Sequence, residues 1–117
     1  MRRALRAVML AALPLPILAA TVTVETYRHP PNELNRGLNR YFLAGVGEGF
    51  TAYNEYLLSE KREAAFCTPQ NLALTPDQIE DILLRYVEKR PDKLDKFPVS
   101  TVLLFALRAT FPCKVSP

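Results

Sequence analysis

The stretch TPDQIEDILLRYVEKRP, residues 75–91, decides the fold. Thr75 has the hydroxyl an N-cap needs, Pro76 suits the first helical position, and Gln78 completes a T-x-x-Q capping box. Asp77, Glu80 and Asp81 load the first turns with negative charge, while Lys89 and Arg90 close the last with positive charge, both matched to the helix dipole. Ile79, Ile82, Leu83, Tyr86 and Val87 recur at the spacing of one buried helix face, and Asp81 and Arg85 form an i,i+4 pair on the wet side. Pro91 stops the helix.

Upstream, Leu34, Leu38, Phe42, Val46, Phe50, Tyr53 and Leu57 recur at steps of three and four. They predict a long helix starting at Asn32, with this stripe as its buried side, ending before the charged run EKRE at residues 60–63. Gly45 and Gly49 lie four apart, with Gly47 between them. A glycine in a helix interior is unfavourable by up to ~1 kcal/mol against alanine, so Gly45 and Gly49 are expected either to admit a closely packed helix or to let this one bend. Downstream, PDKLDKF at residues 91–97 reads as a charged turn. Asp95 is the expected cap of a last helix that has Pro98 in its first turn. Val99, Val102, Leu103, Ala106, Leu107 and Thr110 give that helix its inner face, and Phe105 adds apolar surface beside it.

These segments predict an all-α fold, a small bundle of three to four helices occupying residues 32–117. Residues 21–31, TVTVETYRHPP, have alternating valines of β character but no second strand to pair with, so an extended or disordered arm is expected there. It carries His29, the only histidine. Tyr27, Tyr41, Tyr53 and Tyr56 suit either the edge of a helical core or an interface.

Residues 1–20 read as a signal peptide. Arg2, Arg3 and Arg6 form a positive n-region, an apolar run follows, and Ala19 and Ala20 offer small residues at a cleavage point. An uncleaved anchor is the rival reading, which the two prolines at positions 14 and 16 disfavour. Either way the remainder is exported, and no cysteine follows the apolar run to support lipoprotein processing. Beyond residue 20 there are twelve basic and twelve acidic residues, so the basic pI of about 9.0 belongs to the leader. A domain of zero net charge lacks the basic face of a nucleic-acid binder. In an oxidising compartment Cys67 and Cys113 are expected to form a disulfide, worth about 4 kcal/mol in the chain-entropy model.

Catalytic and metal-binding patterns are missing from the sequence. One histidine beside two prolines makes a poor triad base, and two distant cysteines with one histidine fall short of a tetrahedral metal set. The run GVGEG at residues 45–49 follows no predicted strand, and no lysine stands after it at phosphate-loop spacing. No cofactor is implied. A small exported helical domain of this kind acts by binding.

The order Y-F-x-x-G-V-x-x-G-F (residues 41–50), Asn54, F-C-x-P (66–69), L-T-x-x-Q (74–78) and V-L-L-x-A-L-x-x-x-F-P-C (102–113) resembles the Rap/Tai family of immunity proteins associated with type VI secretion. The resemblance implies a compact helical fold, a Cys67–Cys113 disulfide, residence in the Gram-negative periplasm and frequent homodimers. It further implies binding to a cognate peptidoglycan amidase delivered by a neighbouring cell, whose active-site cleft is blocked without chemistry. Many members carry further cysteines in the N-terminal part, and this chain has none there. The family motifs do not carry the inhibitory surface, for which the exposed turn at residues 88–96, with Arg90, Asp92, Lys93, Asp95 and Lys96, is the candidate. Two other readings are a small periplasmic acid-stress chaperone and a non-catalytic envelope binding protein.

Overall fold

The computed structural model describes residues 21–70, 72–90 and 92–114. The expected signal peptide lies outside the described residues. Four helices are present and no strand among the described residues: α1 Val24–Arg28, α2 Glu33–Ser59, α3 Pro76–Glu88 and α4 Val99–Thr110.

The α3 start follows the sequence closely. The Thr75 hydroxyl accepts from the Gln78 N–H at 3.2 Å, and the Gln78 side chain accepts from the Thr75 N–H at 2.9 Å. Two of the donors that a helix start leaves unpaired are thereby satisfied. Ile79, Leu83 and Val87 are buried, and Asp81 meets Arg85 at 2.9 Å on the surface. From α4, Val99, Val102, Leu103, Ala106 and Leu107 pack against them in one core with Leu43 of α2 and Phe66. Each such side chain contributes roughly 1.5–3 kcal/mol on leaving water.

Three expectations are corrected. Residues 21–31 do not form a loose arm. Thr23 and Thr26 make a reciprocal capping box that starts α1, whose Val24 and Tyr27 are buried. The missing partner for the valine-rich stretch is the segment before α4: Thr23 bridges Pro98, Val24 N–H donates to the Phe97 carbonyl at 3.0 Å, and Val99 N–H to the Val22 carbonyl at 2.8 Å. Asp95, secondly, does not cap α4. Pro98 holds the N-cap position with no side-chain hydrogen bond, and the Asp95 carbonyl instead accepts from Glu25 N–H at 3.1 Å.

Thirdly, the buried side of α2 keeps only part of the predicted stripe, Leu57 with Val46 and Phe50. Leu43, Gly47, Asn54 and Leu57 are buried and Val46 and Phe50 half-buried, whereas Leu34, Leu38, Phe42 and Tyr53 are exposed. Four residues advance a helix about 40° beyond a full turn, so a row of i+4 steps spirals off any single face. The close helix approach also belongs to Gly47, where an added Cβ would overlap Ile79 Cδ1 of α3. Gly45 and Gly49 do not pack against a helix within the chain, since nothing lies within 4 Å of a Cβ at either.

The disulfide joins Cys67 to Cys113, with Cα atoms 4.8 Å apart, and ties the α2–α3 connection to the end of α4. A Cys67 N–H to Phe111 carbonyl bond of 2.8 Å lies alongside it. Asn54 holds the same connection from the other side. Its Nδ2 donates to the Phe66 carbonyl and its Oδ1 accepts from Ala65 N–H, both at 2.8 Å.

Candidate functional site

The connection between α3 and α4 is fastened at both ends. At its start, the Arg90 guanidinium lies 3.8 Å from the Tyr86 ring centroid and donates to the Tyr86 carbonyl at 3.1 Å, which closes off the end of α3. Asp92 then takes a left-handed φ of 64°, a conformation Asp tolerates better than most residues, and this turns the chain away from the helix axis. At its end, Leu94 packs against the core, the Phe97 N–H donates to the Leu94 carbonyl at 3.0 Å, and α1 binds the backbone at Asp95 and Phe97.

This frame separates the five residues expected to form the inhibitory surface. Asp92, Lys93 and Lys96 are exposed on the turn itself. Arg90 is exposed but already stacked on Tyr86, and Asp95 is half-buried against α1. Phe97, unmarked in the sequence reading, joins the first group with 47% of its surface exposed. A large aromatic between Lys96 and Pro98, outside any helical stripe, was the available signal. Two ammonium groups beside an exposed ring make a surface suited to an acidic, partly apolar partner, because a ring anchors and charges steer.

A second polar cluster locks α1 in place. The Tyr27 hydroxyl donates to a Glu80 carboxylate oxygen, and Arg40 bridges Glu80, at 3.4 Å, and Asp77. Burial, then the hydrogen bond to Glu80 and its charge, push the Tyr27 phenol well above its ordinary range. It therefore serves as a fixed donor and not as an acid or nucleophile near neutral pH. A cleft of about 460 Å³ beside it is lined by Arg28, Arg36, Arg40 and Glu88 among others. Arg40 and Arg36 are engaged by carboxylates, the latter by Glu33 at 3.5 Å.

Among the described residues no group of three or more His, Cys, Asp or Glu side chains is placed to hold a metal ion. His29 follows α1, where its backbone N–H donates to the Glu25 carbonyl. No described helix is long and apolar enough to cross a membrane.

Compared with known proteins, residues 17–113 match the family model described as Rap1a immunity proteins. No curated protein and no solved structure matches the chain. The match spans most of the chain, which therefore belongs to the Rap1a immunity protein family.

Proposed function

We propose, from membership of the Rap1a immunity protein family, that this protein is a periplasmic immunity protein. It neutralises a peptidoglycan amidase delivered by a type VI secretion system, by occupying the enzyme's cleft without performing chemistry. The family match over residues 17–113 carries this reading. The disulfide supports the oxidising compartment that the reading requires. The leader read at residues 1–20 would deliver the chain there and be removed. Self-association is an expectation of the same family.

The blocking surface is the α3–α4 turn. Its base is fixed by Leu94 and α1, so little conformational entropy is lost when the turn enters a cleft. Lys93 and Lys96 approach the rim, Phe97 anchors, and Asp92 sets the shape of the turn. Arg90 and Asp95 act mainly by holding it.

Binding of oxidised residues 21–117 to the product of any adjacent hydrolase gene tests this. Phe97→Ala is expected to weaken the complex by about 30-fold, the effect of losing an interface anchor. Lys93→Glu/Lys96→Glu should weaken it further at low salt through a slower association rate. Unchanged affinity in both, with an intact circular dichroism spectrum, removes the turn from the interface.

A further inference from the structure

A groove runs between α2 and the connection that leads from it to α3. On one side Ala44, Glu48, Thr51, Glu55 and Leu58 follow at steps of three and four, a single row along the helix beside its buried face. On the other side lie Thr68, Leu72 and Ala73. Two cavities of about 310 and 520 Å³ share Thr51 and these three residues, so they form one continuous trough. Leu58 and Leu72 are exposed in it. At 1.5 Å per residue, the row from Ala44 to Leu58 covers about 21 Å, the length of roughly six residues of extended chain. A trough that is long and open suits a polypeptide segment better than a compact small molecule.

Charge identifies the occupant. Among the described residues, Glu48 and Glu55 are the only charged side chains lining the trough, and both are exposed. Neither has an ion-pair or hydrogen-bond partner among the described residues, whereas Glu33, Asp77, Glu80 and Asp81 are all paired with arginines. The nearest arginine upstream on α2, Arg40, is held by α3. A cationic partner therefore meets two carboxylates that no arginine already engages. The backbone adds a second attraction. Between Thr68 and Leu74 the N–H of Leu72 donates to the Pro69 carbonyl at 3.2 Å, while those of Thr68, Gln70, Ala73 and Leu74 have no partner among the described residues. Such groups can bond the carbonyls of a chain laid beside them. A polyproline-II chain keeps its carbonyls free and presents every third residue on one side, about 9 Å apart. Glu48 and Glu55, seven positions apart on α2, are separated by about 10.5 Å along the helix, a difference that flexible basic side chains absorb.

We propose that this trough is a docking site for an extended, cationic segment of another polypeptide. Basic side chains three positions apart on that segment engage Glu48 and Glu55, and its carbonyls accept from the connection at residues 68–74. The site lies away from the α3–α4 turn and the assay uses no toxin, so the outcome is independent of the immunity reading. The probe is the fluorescein-labelled peptide Ala-Pro-Lys-Ala-Pro-Lys-Ala-Pro, titrated with oxidised residues 21–117 and read by fluorescence anisotropy. Saturable binding is expected, weakened about threefold by Glu48→Gln and by Glu55→Gln, the size of one exposed ion pair, and unchanged by Glu25→Gln on α1. Thr51→Arg sets a guanidinium between the two carboxylates at an exposed helix position. It should weaken binding about tenfold with unchanged circular dichroism, since both ion pairs are lost and the trough is filled. No saturable binding, an equal loss in Glu25→Gln, or a peptide with glutamate in place of lysine that binds as well each overturns the proposal. Competition by spermidine as strong as that by unlabelled peptide also overturns it, since the site would then take any polycation and not a chain.

Discussion

Asn54 is the one buried polar side chain in the described core, and both ends of its amide are used. Truncation to alanine would leave the Phe66 carbonyl and the Ala65 N–H without partners where water has little access. Asn54→Ala is expected to lower stability by about 2–3 kcal/mol, read as a shifted urea midpoint at constant m-value. A midpoint within error of the parent would mean that the α2–α3 connection is held by the disulfide alone. The position stood out in sequence only as a member of a motif. Its partners lie eleven and twelve residues away in a segment with no regular structure, so no local pattern marks it. Gly47 was hidden differently. Three glycines at alternate positions give no indication of which one faces a neighbour, and only the position of Ile79 decides it.

Among the elements, α3 was legible because its signals are local: the capping box, the acidic first turn and the apolar face all fall within the segment. The inner face of α4 was legible for the same reason, except that Thr110 is exposed. The α2 face was not, because a long helix in a small domain has more apolar positions than the core can cover, and periodicity alone does not rank them. α1 was missed although Thr23 and Thr26 cap it locally, because a five-residue helix shows no apolar period and the contacts that hold it, to Pro98, Phe97 and Glu80, are non-local. That anchorage has a pH signature. The unfolded chain releases the Tyr27 proton near pH ~10, whereas the folded chain holds it to higher pH. Stabilisation by this group is thus fully present below about pH 10 and is lost as the pH rises above it. Tyr27→Phe should be less stable than the parent at pH 7 and should lose stability less steeply in the alkaline range. Parallel alkaline slopes would contradict the raised phenol. The pairs at Asp81–Arg85 and Glu33–Arg36 are exposed, and pairs of that kind contribute ~0–1 kcal/mol.

At the scale of the molecule, a domain this small relies on its staple. The Cys67–Cys113 bond closes a loop across a separation of 46 residues, and its reduction is expected to lower stability by about 4 kcal/mol, out of a total typically of ~5–15 kcal/mol. Urea melts with and without reductant check this, and coincident curves would contradict it. Loss of the bond should also free the α2–α3 connection from α4 and lower the yield of active protein in a reducing compartment. The bundle leaves two surfaces open on separate elements: the α3–α4 turn with Lys93, Lys96 and Phe97, and the uncharged face of α2. The measurement that bears most directly on the central claim is peptidoglycan cleavage by the product of any adjacent hydrolase gene, titrated with oxidised residues 21–117. The account predicts that cleavage stops at one chain per enzyme and persists when Phe97→Ala/Lys93→Glu/Lys96→Glu replaces the parent; undiminished cleavage with excess parent protein would contradict it.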